Sequence, residues 1–346
     1  MQKPGKRLMS VTIVTIARNE NEHIEEFFIY YKKVLGATRV MFYDDSDDDI
    51  QKNICSYYPD LVTYIPWRGK GHVNSHIHAL ENCETEYIGF FDIDEFLSLH
   101  RHACLDNYVD EVFTPNVDIV YFNWRIFASM GYQNDPHDLV TSSYTQCLPP
   151  VNMRVDLENL KWRPHGIKKY IARARSVLSP NIHEAKVTGG AVYANDVENP
   201  SEEDLAPYRE AGLRALKASD YSTVQLNHYQ SKSLRSVIQR DLQGYGYNQE
   251  NRVFSLDSGK RDSPFWRLGT LRAVNEFDLE KDEFMLQYRD RIQNHIRVGY
   301  RDTFETVPDV ELPDLSLYNL SPQEEDFVRR VLTERAVNTL EYISTT

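Results

Sequence analysis

The stretch Glu86-Tyr-Ile-Gly-Phe-Phe-Asp-Ile-Asp-Glu-Phe-Leu97 decides how the chain is read. A short apolar run, rich in aromatic and β-branched residues, ends abruptly in three acids, Asp92, Asp94 and Glu95. Such a run reads as a buried central strand. Acids at its carboxyl end stand where open α/β sheets keep their ligand crevice. Side chains two apart in extended chain share a face, so Asp92 and Asp94 are expected to converge while Ile93 points away. Two carboxylates aimed at one point suit a hard divalent cation whose other positions go to water and phosphate. A lone Asp-x-Asp is more often a solvated acidic turn; the fully apolar strand before this one favours a site.

Working outward, Ser10 to Ile16 is a second strand-like run, broken at Ala17-Arg-Asn-Glu20. From Asn21 to Leu35, Ile24, Phe27, Phe28, Tyr31, Val34 and Leu35 recur at helical spacing, with Asn21 as the expected N-cap and Gly36 as the stop. Arg39 to Tyr43 is the next strand, halting at Asp44-Asp-Ser-Asp-Asp-Asp49. Strand, helix, strand at this spacing is a βαβ unit and predicts a parallel sheet. Further strands are expected at 61–65, 118–124 and from 223. A helix over 72–82 is expected to bury Val73, Ile77 and Leu80. On that helix His72 and His76 stand one turn apart and can share a metal, but no third ligand lies nearby in sequence.

Four ordered blocks resemble a known family. Ala17-Arg-Asn-Glu-Asn21, Phe28-Ile-Tyr-Tyr-Lys-Lys-Val-Leu-Gly36, Phe42-Tyr-Asp-Asp-Ser-Asp47 and Phe90-Phe-Asp-Ile-Asp-Glu-Phe96 are similar to the family 92 and family 2-like glycosyltransferases of the GT-A fold. The resemblance covers roughly residues 10 to 245, and His228-Tyr-Gln-Ser-Lys-Ser233 resembles a later block. It implies an α/β fold with a mixed, mostly parallel sheet flanked by helices, and sugar transfer from a nucleotide-diphosphate donor, by family default a UDP-sugar, to a saccharide or glycoconjugate. It implies a Mn²⁺ or Mg²⁺ ion held by Asp92, Asp94 and His228. Around the donor it implies Arg18, Glu20, Asp44, Asp45, Arg68 and His76, with Lys169 and Lys232 facing phosphate.

An inverting enzyme of this kind needs a base for the acceptor hydroxyl. Glu184, beside His183, is one candidate; Glu203 and Asp204, followed by Arg209, weakly resemble the acidic motif that carries the base in other GT-A enzymes. The basic run Lys161, Arg163, Lys168, Lys169, Arg173, Arg175 and Lys186 is either a phosphate- or acceptor-facing patch or a solvated strand. Lys169-x-x-x-Arg173 followed by His183 resembles a family pattern, with Ala174 where a proline is usual.

Composition narrows the class. A net charge of −13 excludes nucleic acid as the main partner. Four widely spaced cysteines without a CxxC read as reduced thiols rather than a disulfide framework or zinc site. No run is long and apolar enough to span a bilayer and no signal-peptide core follows Met1, so a cytoplasmic protein is expected, with peripheral membrane association left open. The length allows a catalytic domain over 1–245 and a mainly helical extension over 246–346, whose stripe at 321–343 packs on the first domain or forms a homodimer. Two other classes are weighed: a non-catalytic sugar- or nucleotide-binding module on the same fold, and a metal-dependent phosphohydrolase. The second requires a further His/Asp cluster that the sequence lacks.

Overall fold

The computed structural model describes residues 10–132, 134–148, 151–157, 160–162, 168–195, 214–230, 232–237 and 279–299, with a few single positions between 322 and 330. In chain order the elements begin β1 (Val11–Ala17), α1 (Ile24–Ile29) with a π-helical continuation over Tyr30–Val34, β2 (Arg39–Asp44), α2 (Ile50–Ser56), β3 (Thr63–Pro66), α3 (His72–Glu81), β4 (Tyr87–Phe90), β5 (Glu95–Leu99), α4 (Leu105–Val112) and β6 (Val117–Ile126). There follow α5 (Val140–Ser143), β7 (Gln146–Cys147), β8 (Val151–Leu157), β9 (Leu160–Trp162), β10 (Lys168–Arg173), β11 (Val177–Pro180), β12 (Ala185–Val187), β13 (Gly190–Tyr193), β14 (Arg214–Ala218) and β15 (Val224–His228). After the described gap come β16 (Glu280–Lys281), a 3₁₀ turn over Phe284–Tyr288 and α6 (Arg289–Gln293).

The main sheet runs β3-β2-β1-β4-β10-β6-β15-β5, with β13 also on β6. β3, β2, β1 and β4 are parallel; β10 inserts antiparallel between β4 and β6; β15 is parallel to β6, and β5 closes the edge antiparallel to β15. This is the mixed, mostly parallel sheet that the resemblance implies. β1 is Val-Thr-Ile-Val-Thr-Ile-Ala, β-branched at every position but the last and almost wholly buried, as a central parallel strand must be. β6 is long and divides its pairing. Its first half carries β10 and β13, and its last three residues, Trp124 to Ile126, carry β15.

Several expectations need correction. The apolar run before the acids is a strand as expected, but the acids do not continue it. β4 stops at Phe90, the Glu95 N–H bonds the Asp92 carbonyl at 3.0 Å in a tight turn, and the chain resumes as β5 at the far edge. Asp92 and Asp94 lie in that turn, not in extended chain. The first helix starts after His23, which makes no side-chain cap, so Asn21 is not the N-cap. α3 turns Ser75, His76 and Ala79 inward and leaves Ile77 exposed, with Ala79 and Leu80 on the apolar face of the sheet.

Two buried acids of α1 tie distant segments to the sheet. Glu26 accepts the Val140 and Thr141 N–H groups at 2.8 and 3.0 Å, capping α5, and Glu25 accepts the Val298 N–H at 3.0 Å. Residues 279–299 join the same core through Met285 and Ile292, and Arg125 of β6 reaches Glu280 and Asp282 at 2.7 and 3.1 Å.

Gly89 fixes the packing of β4. A Cβ there would stand 2.9 Å from Ile171 Cγ1, 3.0 Å from Phe91 Cε2 and 3.3 Å from Ile13 Cδ1. Overpacking of this kind costs about 1–3 kcal/mol. Gly89→Ala is therefore expected to lower Tm by several degrees in calorimetry, at roughly 2–4 °C per kcal/mol. An unchanged Tm would contradict the packing described.

Candidate functional site

The carboxyl ends of β1, β2, β3 and β4 open onto one crevice, and the residues just beyond them are polar. After β1 comes Arg18, whose guanidinium is 2.5 Å from Asp47, in the loop after β2. Arg68, after β3, reaches the other oxygen of Asp47 at 2.8 Å. Asp45 accepts the Gly69 N–H at 2.6 Å. Arg18, Asp45 and Arg68 thus meet on one rim, with Asp47 as a hub that the sequence reading did not single out. Asp44 has a different role. Its Oδ1 accepts from the Ser46 N–H and Gln51 Nε2 at 2.9 and 2.5 Å, and its Oδ2 from the Tyr64 hydroxyl at 3.0 Å, all in a buried setting. That hydrogen-bonding fixes the end of β2.

The acidic turn is organised by register. β15 pairs with β5 so that His228 stands opposite Glu95, and the Tyr229 N–H bonds the Asp94 carbonyl at 2.9 Å. The same pairing brings His228 Nε2 to 3.6 Å from Asp94 Oδ1, both side chains buried. β10 pairs with β4 through Tyr170 and Phe90, so Lys169 faces the chain as it leaves β4. Its ammonium sits 2.8 Å from Asp92 Oδ1 and 3.8 Å from Glu95 Oε2. His72, at the start of α3, is 3.8 Å from the same Asp92 oxygen. The two aspartates therefore take different partners: Asp94 goes with His228, and Asp92 with Lys169 and His72.

Electrostatics follow from this burial. Burial pushes the Asp92 carboxyl up, but Lys169 and His72 outweigh it and hold the group well below the usual carboxylate range. Burial dominates at Glu95 and raises it, so its neutral form is favoured; the Asp92 N–H is bonded to Glu95 Oε2 at 2.7 Å. Lys169 is raised despite burial because Asp92 and Glu95 face it. Burial lowers the imidazoles of His72 and His183 to about 4 and takes His76 well below its ordinary value.

The donor set fits a shared cation at Asp94 and His228. An N···O separation of 3.6 Å is too long for a hydrogen bond, yet it lies within the span of two ligands on one ion with bonds of about 2.1 Å. Among the described residues no three His, Cys, Asp or Glu side chains gather closely enough to hold a metal by themselves. Such a site would depend on water and donor phosphate for its remaining positions.

The other expected residues are distributed as follows. Lys232, buried beyond β15, lies 3.5 Å from Glu20, beyond β1, so the two ends of the crevice meet there. His76 is buried against Phe90 at 4.2 Å between ring centroids. Glu184 is mostly exposed and pairs with Lys168 at 3.1 Å. Glu203 and Asp204 lie outside the described residues. The basic run is not one patch. Lys169 turns into the site, Lys168 packs beside Tyr121 and Tyr193 on the opposite face of β10, and Arg173 pairs with Glu86 at 3.1 Å. Trp124, against His228 at 3.9 Å, is a wall of the site that no sequence signal marks.

The lowered His72 predicts a pH effect on stability. Unfolded, this imidazole binds a proton near 6.5; folded, it does so only near 4. Between these values the unfolded chain holds more protons, so acid favours unfolding, and below 4 this group causes no further loss. His72→Gln should remove on the order of 2–3 kcal/mol from the stability lost between pH 6.5 and 4. Denaturant titrations of both proteins across that window would show it, and equal slopes would refute it.

The model of "Glycosyltransferase family 92" matches residues 9–250. A glycosyltransferase family 92 protein of Oryza sativa subsp. japonica is 26% identical over 149 residues, covering 40% of this chain and 25% of that protein. One of Ricinus communis is 27% identical over 151 residues, covering 41% and 27%. The chain thus spans about a quarter of the length of the curated relatives it matches. Among solved structures, a glucosyl-3-phosphoglycerate synthase from Mycobacterium tuberculosis, in complex with Mn²⁺, UDP and glucosyl-3-phosphoglycerate, is 14% identical with a TM-score of 0.30, over 51% of this chain and 64% of that one. A mycobacterial protein is 15% identical with a TM-score of 0.32, over 65% and 69%. At these scores the overlap bears on neither ligand nor reaction. No helix among the described residues is long and apolar enough to cross a membrane.

Proposed function

This chain belongs to glycosyltransferase family 92, and from that premise we propose that it transfers a sugar from a UDP-sugar to a saccharide or glycoconjugate acceptor. The observation that carries the reading is the buried Asp94–His228 pair, 3.6 Å apart at the carboxyl end of the sheet. A Mn²⁺ or Mg²⁺ ion held there would neutralise charge growing on the departing nucleoside diphosphate. Lys169 keeps Asp92 ionised beside that position. Arg18, Arg68, Asp45 and Asp47 frame the nucleoside on the β1–β3 rim. Lys232, partnered by Glu20, is the further cation placed to meet phosphate.

The reading is tested by UDP release from UDP-glucose, UDP-galactose and UDP-N-acetylglucosamine in Mn²⁺. Asp94→Asn and His228→Gln should each lower the rate on the order of 10²–10³-fold without a matching loss of Tm. Turnover that survives both substitutions and a chelator would remove the cation from the account.

A further inference from the structure

His183 has no part in the reading above, yet it borders the same crevice. It lies between β11 and β12, half-buried, with its ring edge-on to Trp124 at 5.7 Å between centroids. Trp124 in turn packs on His228, so one indole separates His183 from the proposed cation pair. One imidazole nitrogen of His183 is hydrogen-bonded to the backbone of Lys168. The other, Nδ1, is buried and has no hydrogen-bond partner among the described residues. In a neutral imidazole one nitrogen donates and the other accepts, so an accepting Nδ1 requires the proton on Nε2.

A covered nitrogen left without a partner is costly unless something fills the position. Here the imidazole is neutral at neutral pH, since burial and Lys169 both disfavour its charge while the carboxylate of Asp92 favours it. Glu184, the adjacent acid, is turned away: it pairs with Lys168, and its side chain is 67% exposed. Lys168 thus fixes both residues of the loop, its backbone holding His183 and its side chain holding Glu184.

We propose that Nδ1 of His183 is the base that deprotonates the acceptor hydroxyl; the inference rests on the transferase reading and deepens it. The hydroxyl proton passes to Nδ1 as its oxygen bonds to the anomeric carbon. The bond from that carbon to the phosphate oxygen breaks, and the nucleoside diphosphate leaves with the electron pair. The imidazolium then gives its proton to water. Attack opposite the leaving group inverts the anomeric configuration. A positioned base of this kind contributes roughly 10²–10⁴-fold.

The test uses the full chain, UDP-hexose donors and p-nitrophenyl glycosides as acceptors. His183→Gln and His183→Ala should lower kcat by roughly 10²–10⁴-fold, while the Mn²⁺-dependent thermal shift with UDP persists. Free imidazole should restore at least tenfold of the rate to His183→Ala, which a merely structural loss would not allow, and the product should be inverted. A kcat within threefold of wild type, a loss that imidazole leaves unrestored, a retained configuration, or a larger loss in Glu184→Gln would each overturn the assignment. A wild-type protein that neither binds UDP nor turns over any donor would overturn the transferase reading along with it. Wild-type turnover unaffected by His183 substitution would overturn this assignment alone.

Discussion

The structure depends on how little chain connects β4 to β5. Their order in the sheet puts β10, β6 and β15 between them, four strand spacings that in a flat sheet would total about 19 Å. The connection is Phe91 to Asp94, and the turn closed by the Glu95 N–H leaves it a reach of about 14 Å. A flat sheet is therefore excluded. The sheet must curl, and β6 accommodates the curl by passing from β10 and β13 to β15 between Asn123 and Trp124. The crevice opens where the two halves part, and the short connection carries Asp92 and Asp94 across it.

Pairing on either side then assigns each acid a partner. Register on β15 delivers His228 to Asp94, and register on β10 delivers Lys169 to Asp92. Since side chains alternate along a strand, slipping either strand by one residue would turn these groups to the opposite face. Burial of Tyr170, Ile171, Leu226 and their neighbours against two apolar layers holds the register. The apolar core thus sets site geometry, and the buried charges are tolerated because each has a counter-charge or hydrogen-bond donor within reach.

Much of this is visible in the chain itself. The parallel half is legible because Val11 to Ala17 and Arg39 to Asp44 carry strand-like runs joined by an amphipathic helix. Asp94 is singled out by its place after an apolar strand, whereas His228 is singled out only by the resemblance of its block to the family. What misleads is the assumption that the acids continue the extended chain. Asp92 and Asp94 instead sit in a turn between β4 and β5, where the Glu95 carboxyl group accepts the Asp92 N–H, a contact no periodicity encodes. α3 misleads differently. Its apolar spacing selects Val73, Ile77 and Leu80, whereas the buried residues are Ser75, His76 and Ala79, so burial departs from the hydrophobic pattern. Asp44 carries a site-like position but is spent on Ser46, Gln51 and Tyr64, and only the folded partners reveal that.

The central claim is that Asp94 and His228 form a two-ligand cation site completed by a nucleotide. It is tested most directly by thermal-shift titration with UDP and with GDP, each with and without Mn²⁺, on wild type and Asp94→Ala. A ligand that binds only the folded state raises Tm, by about 2.7 kcal/mol of stability at a hundredfold excess over Kd. The account predicts a shift with UDP that requires Mn²⁺ and disappears in the variant. An equal shift in Asp94→Ala, or none with either nucleotide in wild type, would contradict it.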